Sequence, residues 1–302
     1  MIIVAGSAGE EPVTRVLEEA AQQGVEAVML EESEAADWNL ELSATRLGLR
    51  CRALWRGQQV CFDEATGVYL RLTGPRRAGL VDELRTRRHQ AAIALLCGWS
   101  DVAGTRVANR PTAMATNSSK PYQAALIRKH GFGVPATLVS NDPGTVRAFW
   151  AEHSRVIYKS TSGVRSIVHE LTPAGATQLD RVRNLPTQFQ RLLVGTNVRV
   201  HVIGELVYAC EVTSQTVDYR YREDGAAASM TATELPAAIS DRCRSLAREL
   251  RLPLAGIDLF RDLEGEWWCF EVNPSPAYSC FEGPTGLPMA AALTSWLTGE
   301  GE

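Results

Sequence analysis

Lysine is scarce in this chain. Of the 31 Lys and Arg among 302 residues, only Lys120, Lys129 and Lys159 are lysine. A lysine is a compact point charge and an arginine a planar fork, so each surviving lysine raises a question of role. Composition bias with three chance survivors is the plain alternative. There is no positive excess: 35 Asp and Glu leave a net charge of −4. Nucleic-acid binding, which needs a surplus of Lys and Arg, is therefore not expected. The seven cysteines form no CxxC pair, and their odd number argues against a closed disulfide framework. A reducing cytoplasm is the expected setting. The five histidines show no HxxxH spacing, which leaves zinc without a ligand set. No run approaches the ~20 apolar residues that span a bilayer. The N-terminus also lacks the basic segment of a signal peptide. No GxxxxGK[ST] occurs, and Gly6-Ser7-Ala8-Gly9 is only an echo of GxGxxG, so a Rossmann dehydrogenase lacks its fingerprint.

What is present is ordinary globular material, 45% hydrophobic and 22% charged. At roughly 150 residues per domain the length suits two domains or one large α/β body. Ile2–Ala5, Glu11–Gln23 and Glu26–Leu30 read as a βαβ opening, which predicts an open parallel sheet. Leu49–Trp55 and Gln59–Phe62 flank Arg56-Gly57-Gln58 as a hairpin. A strand at Gly67–Leu72 and a helix at Val81–Trp99 complete an N-terminal α/β unit, residues 1–108. Ser118 or Ser119 is placed to cap a helix running to His130, with Pro121 in its first turn. Strands at Ala136–Ser140 and Arg155–Lys159 flank a helix at Pro143–Glu152. Further strands are expected at Gln188–Val194, Val198–Ile203, Glu205–Val212, Leu254–Phe260 and Glu266–Val272. Helices at Glu234–Leu250 and Gly286–Leu297 close the chain.

Three patterns carry chemistry. In Cys269-Phe270-Glu271-Val272-Asn273-Pro274, strand alternation puts Glu271 and Asn273 on one face. Asp258 sits mid-strand on the preceding arm of the same hairpin, where a carboxylate must be exposed in a cleft, paired or metal-bound. Asp, Glu and Asn offer oxygen ligands only, a set suited to Mg²⁺. A solvated strand face is the alternative. Second, Lys159 ends an apolar strand and precedes Ser160-Thr161-Ser162-Gly163, whose backbone N–H groups suit a phosphate. A strand-end surface lysine is the competing reading. Third, Asn197, Arg199 and His201 share the polar face of a strand. Arg199 at its centre could neutralise a phosphoryl group, or the strand is simply half exposed. His201 taken alone is unremarkable.

In this order the residues resemble the ATP-grasp superfamily of carboxylate–amine ligases, which includes glutathione synthetase, D-alanine–D-alanine ligase and ribosomal-protein glutamate ligases. The likeness runs from about Asn109 to Leu297. It implies an α/β fold of α+β lobes, the ATP-grasp fold, behind a pre-ATP-grasp N-terminal α/β domain. It divides the chain into 1–108, a central lobe 109–186 and a C-terminal lobe 187–302 with the metal site. By the same resemblance Lys120 and Lys159 hold ATP phosphates, and Asp258, Glu271 and Asn273 bind one or two Mg²⁺ ions. Gln190, Arg191 and Leu192 belong to the hinge that pairs with adenine, with Arg191 where the family usually has an acid. Arg199 stabilises the transferred phosphoryl group.

A closer likeness is to the microviridin-type (graspetide) ligases, which close ester or amide rings in peptides. It is carried by Tyr69-Leu70-Arg71, Asn109-Arg110-Pro111, Ser140-Asn141-Asp142-Pro143 and Gly286-Leu287-Pro288. Ser214-Gln215 and Asp218-Tyr219-Arg220 resemble that group's substrate-side elements. Asp218 would orient or deprotonate the nucleophile, and Arg220 would hold a carboxylate. The resemblance implies an ADP-forming enzyme acting on a peptide, with no membrane partner and a homodimer as the default assembly. A small-molecule amino-acid ligase in a natural-product pathway and a non-catalytic nucleotide-binding module are the alternatives.

Overall fold

Ile2 to Ala5 are all apolar and fully buried, as a strand covered on both faces must be. In the computed structural model, which describes residues 1–46, 48–72, 82–160, 168–213 and 229–300, they lie in β1 (Ile2–Gly6). There follow α1 (Glu11–Gln22), β2 (Ala27–Glu31), β3 (Asn39–Thr45), β4 (Gly48–Trp55), β5 (Gln58–Cys61), β6 (Gly67–Arg71), α2 (Glu83–Val102) and β7 (Arg106–Ala108). β2-β1-β6-β7 form a parallel sheet, as the βαβ opening predicts. β3, β4 and β5 form a separate antiparallel sheet. The pleat divides β1 between two cores. Ile2 and Val4 join the core of α1, while Ile3 and Ala5 join the one lined by Leu96 and Trp99 of α2.

The chain continues through a single turn, α3 (Pro111–Met114), into α4 (Lys120–Lys129). Ser119 occupies the N-cap of α4, but no side-chain capping bond forms there. Next come β8 (Thr137–Ser140), α5 (Pro143–His153), β9 (Val156–Ser160), β10 (His169–Glu170), α6 (Pro173–Ala176) and β11 (Thr187–Arg191). Asp142 caps α5 by accepting from the Thr145 N–H at 2.7 Å. The sheet order is β10-β9-β11-β8, antiparallel throughout, around a small core of Val146, Val156, Leu171, Leu179 and Phe189. The lobe boundary expected after residue 186 thus precedes a strand, β11, that pairs with β8 and β9.

The last stretch contains β12 (Gly195–Ile203), β13 (Leu206–Thr213), β14 (Ser229–Thr233), α7 (Ala237–Glu249), β15 (Leu254–Asp262), β16 (Trp267–Asn273), α8 (Ser279–Thr285) and α9 (Met289–Thr298). The five strands run β14-β13-β12-β15-β16, antiparallel. Val198, Val200, Val202, Ile257, Leu259 and Val272 turn one face of this sheet into a core with α7 and with Ile127 and Phe132. The segment carrying α4 therefore packs on the C-terminal sheet. The ends of the chain are joined as well. Leu293 and Leu297 of α9 share a core with Ile2, Val4 and Val16. At Gly67 any Cβ would collide with the α9 backbone at Leu297, so glycine is what lets that helix approach β6.

β16 is an edge strand, and α4 completes part of its hydrogen bonding. The Gln123 amide donates to the Val272 carbonyl at 2.9 Å and accepts from its N–H at 2.9 Å. Both partners are buried. Gln123→Ala would leave two buried backbone groups unpaired, each worth about 1–3 kcal/mol. We expect a loss of that order in urea denaturation, against no more than about 0.5 kcal/mol for the exposed neighbour Tyr122→Ala. Equal losses at the two positions would contradict this reading.

Candidate active site

The polar face of the C-terminal sheet is built row by row. Arg199 on β12 lies opposite Asp258 on β15, which lies opposite Glu271 on β16. Two residues along, the next row on the same face is His201, Gly256 and Asn273. The alternation that sends Val198, Val200 and Ile257 into hydrocarbon thereby gathers every charged group of these three strands' centres on the other side. A bulge between Asp258 and Leu259 shifts the register beside the two carboxylates.

The charges compensate one another. Arg199 Nη1 donates to Asp258 Oδ1 at 2.5 Å, and Lys120 Nζ from the start of α4 donates to Glu271 Oε2 at 2.9 Å. The side chains of Asp258 and Glu271 keep 18% and 23% of their exposure, so solvent reaches both, whereas Arg199 is buried. The Arg199 guanidinium is held on several sides. Its Nε points at His201 Nε2, a long contact of 3.4 Å, and the Phe281 ring lies 5.6 Å from its central carbon. Burial, and then the neighbouring guanidinium, push the His201 pKa well below the ordinary imidazole value. His201 is neutral, and since Arg can only donate, its Nε2 is the acceptor. Beneath the guanidinium lies Gly256. A Cβ there would overlap Arg199 and stand 2.8 Å from Pro276 Cβ.

Asn273 ends β16, and its Oδ1 accepts the Ser275 N–H at 2.9 Å, which identifies the oxygen end of the amide. Asp258, Glu271 and Asn273 are thus brought onto one face as the sequence implied. Among the described residues no group of three or more His, Cys, Asp or Glu forms a metal cluster, so the donor set is two carboxylates and one amide oxygen. These are hard ligands that leave positions for water and phosphate, and they fit Mg²⁺.

The other sequence-expected residues fall on the central lobe. Lys159 lies opposite Gln188, and Ile157 opposite Gln190, on the face away from the small core that takes Val156 and Phe189. Gln190 is buried and donates to the Thr137 hydroxyl at 3.1 Å. The N–H groups of Arg191 and Leu192 donate to the carbonyls of Ala136 and Arg155, each at 2.9 Å. Any ring pairing with this hinge must therefore use groups other than those two amides. Ser162, Gly163, Asp218 and Arg220 lie outside the described residues.

Sequence reasoning missed the roles of His201, Gly256 and Gln123. A glycine inside an otherwise apolar strand is a signal of close approach, and Gly256 carried it. Nothing local marked Gln123, whose partner is 149 residues away.

No family model matches this chain. A ribosomal protein bS6–L-glutamate ligase of Escherichia coli O81 (strain ED1a) is 26% identical over 212 residues, which cover 65% of this chain and 69% of that protein. The ATP-grasp ligase PsnB, solved with a minimal precursor, Mg and ADP, is 28% identical and superposes with a TM-score of 0.79 over 99% of this chain and 96% of that one. A RiPP-associated ATP-grasp ligase of Chryseobacterium gregarium, solved with ADP and a leader and core peptide, shares the fold at a TM-score of 0.83. It is 20% identical over 100% of this chain and 97% of that one.

The overlap at Gly256 gives a direct test of the packed arginine. Gly256→Ala should cost about 1–3 kcal/mol of stability through overpacking. Gly98→Ala, in an exposed helical position with open space around it, should gain about 0.5–1 kcal/mol. Denaturation curves showing Gly256→Ala neutral would mean that Arg199 does not rest where the structure puts it.

Proposed function

We propose, from its likeness to ATP-grasp ligases, that this chain is an ADP-forming ligase that activates a carboxylate of a peptide and closes an amide or ester bond. The observation that carries the reading is the row Arg199–Asp258–Glu271, with Lys120 and Asn273 beside it. It stands on a fold that matches peptide ligases over nearly the whole chain. Precursor peptides occupy those relatives, which supports a peptide here. The lobes are read as a pre-ATP-grasp domain over 1–108, a central lobe around β8, β9 and β11 for the nucleotide, and the C-terminal sheet for the metal.

Asp258, Glu271 and Asn273 would hold Mg²⁺, which supplies charge neutralisation for the ATP phosphates when bound. Lys120 and Lys159 provide fixed positive charge toward the same phosphates. Ser162 and Gly163 would offer backbone and hydroxyl donors, and Gln190, Arg191 and Leu192 border the adenine. In the first step a substrate carboxylate oxygen attacks the γ-phosphorus. The bond from γ-phosphorus to the β-γ bridging oxygen breaks, and ADP leaves with an acyl phosphate behind it. In the second, an amine or hydroxyl attacks the acyl carbon, its proton is taken up, and phosphate departs. Arg199 is buried and pre-aimed, so it stabilises charge on the transferring group without reorganising. By the resemblance, Asp218 would take the nucleophile's proton and Arg220 would hold a carboxylate.

Magnitudes separate function from structure at Lys120. Its ion pair with Glu271 is partly exposed, and such pairs contribute about 0–1 kcal/mol. Lys120→Ala should therefore leave the denaturation midpoint nearly unchanged while ADP formation falls at least about 100-fold. Glu271→Gln should behave likewise, and Asp258→Asn should lose activity as well, but with a stability loss of up to about 3–5 kcal/mol because it strips the buried Arg199 of its counter-charge. Full activity in all three would remove the site.

Substrate class is tested by ADP formation from Mg·ATP with two pools, free amino acids and acidic, hydroxyl-bearing peptides. Stimulation by peptides, with products lighter by one water per bond formed, supports the reading. Stimulation by free amino acids alone overturns it.

A further inference from the structure

Arg71 belongs to the N-terminal sheet, yet its contacts lie on the loop that follows Asn273. It ends β6 at the carboxyl edge of a parallel sheet, the edge where open α/β sheets place ligands. The guanidinium is buried. Its Nη1 donates to Ser275 Oγ and to the Pro276 carbonyl, both at 3.1 Å, and its Nε donates to Glu10 Oε2 at 2.5 Å. Ser275 is in turn the residue whose N–H fixes Asn273 Oδ1. A chain of hydrogen bonds thus runs from the N-terminal domain, through Arg71 and Ser275, to the side-chain oxygen of Asn273.

The chemistry of that oxygen makes the chain consequential. An amide oxygen has two lone pairs. One accepts the Ser275 N–H, which leaves the other directed by the same bond. If Ser275 is free to turn, the Asn273 amide loses its anchor, and a cation site with only two carboxylates has little else to define it. The loop could be held in other ways. Asn109 Nδ2 already ties the Pro274 carbonyl at 2.6 Å, which fixes the loop's entry. Arg71 is the residue that holds Ser275 and Pro276, the part bearing on Asn273. A lysine could not replace it, because the three acceptors need a fork of separate donors.

We propose that Arg71 is a positioning residue for the metal site: through Ser275 it sets the Asn273 amide oxygen, and so links the seating of the N-terminal domain to Mg²⁺ affinity. This rests on the assignment of Asn273 as a ligand under the proposed function. Outer partners of metal ligands typically change metal affinity about 10–100-fold when removed.

The test measures Mn²⁺ binding to the whole protein in the presence of ADP, by the loss of the free-ion electron paramagnetic resonance signal. ADP affinity without metal is measured alongside. Arg71→Ala should weaken Mn²⁺ binding about 10-fold while metal-free ADP affinity stays put. Ser275→Ala, which removes one hydroxyl, should weaken it in the same direction by less. The double variant should be no weaker than Arg71→Ala, because both act through one chain of bonds. Should Arg71→Ala fail to fold, Ser275→Ala and Arg71→Lys carry the same comparison. Unchanged Mn²⁺ affinity in folded variants of a wild type that binds the ion overturns this inference alone. A wild type with no ADP-dependent Mn²⁺ binding overturns the metal site and this inference with it.

Discussion

Two carboxylates stand at the centre of a sheet whose other face is hydrocarbon, and they can stand there because two cations reach them from different parts of the chain. Arg199 comes from the adjacent strand and Lys120 from a helix more than a hundred residues upstream. Removing Arg199 would leave Asp258 uncompensated at a cost of about 3–5 kcal/mol, whereas the more exposed pair of Lys120 and Glu271 contributes about 0–1 kcal/mol. Much of the surrounding architecture serves this balance. Gln123 fastens the helix that bears Lys120, and His201, Phe281 and Gly256 fix the one orientation in which Arg199 meets Asp258. The pairs balance the carboxylates' charge and leave both partly exposed, as a hard cation and a triphosphate require.

The loop after Asn273 is where the lobes meet. Pro274 is tied by Asn109, Ser275 and Pro276 by Arg71, and the Tyr278 hydroxyl donates to the Pro12 carbonyl at 2.7 Å. Residues from the N-terminal sheet, the segment after it and the first helix thus converge on the few residues that follow Asn273. With α9 packed on the N-terminal sheet, the N-terminal and C-terminal parts share one core, so the N-terminal unit is not held by a tether alone. Among the described residues, the other face of the N-terminal sheet and the small central sheet around Phe189 each have a core of their own.

Much of this was legible in the sequence, for identifiable reasons. The Asp258 strand is an apolar run broken by one carboxylate, and Glu271-Val272-Asn273 alternates on the other side of a turn. That turn forms as expected, with the Asp262 carboxylate accepting the N–H groups of Glu264 and Glu266. The parallel opening was equally plain. Seven elements escaped, and four of them, β7, β10, α3 and α6, are only two to four residues long. β3 alternates Leu40, Leu42 and Ala44 with polar residues, but it is exposed along much of both faces. β14, Ser-Met-Thr-Ala-Thr, is an edge strand of small residues. α8 contains Gly283 and Pro284, which read as a breaker. Tyr69-Leu70-Arg71 and Asn109-Arg110-Pro111 stood out only by resemblance. Their physical content, two clamps on one distant loop, is long-range and invisible to any local pattern. Arg110 itself caps carbonyls of its own neighbourhood, at Ala103 and Thr105.

The central claim is that a substrate carboxylate, rather than water or the second nucleophile, receives the phosphoryl group. It is tested most directly with a peptide that stimulates ADP formation and whose acidic side chains carry heavy-isotope oxygen. The released phosphate is examined by mass spectrometry. The account predicts one heavy oxygen in phosphate for each bond closed, with its partner retained in the new carbonyl. Phosphate free of the label, with bond formation intact, would contradict it.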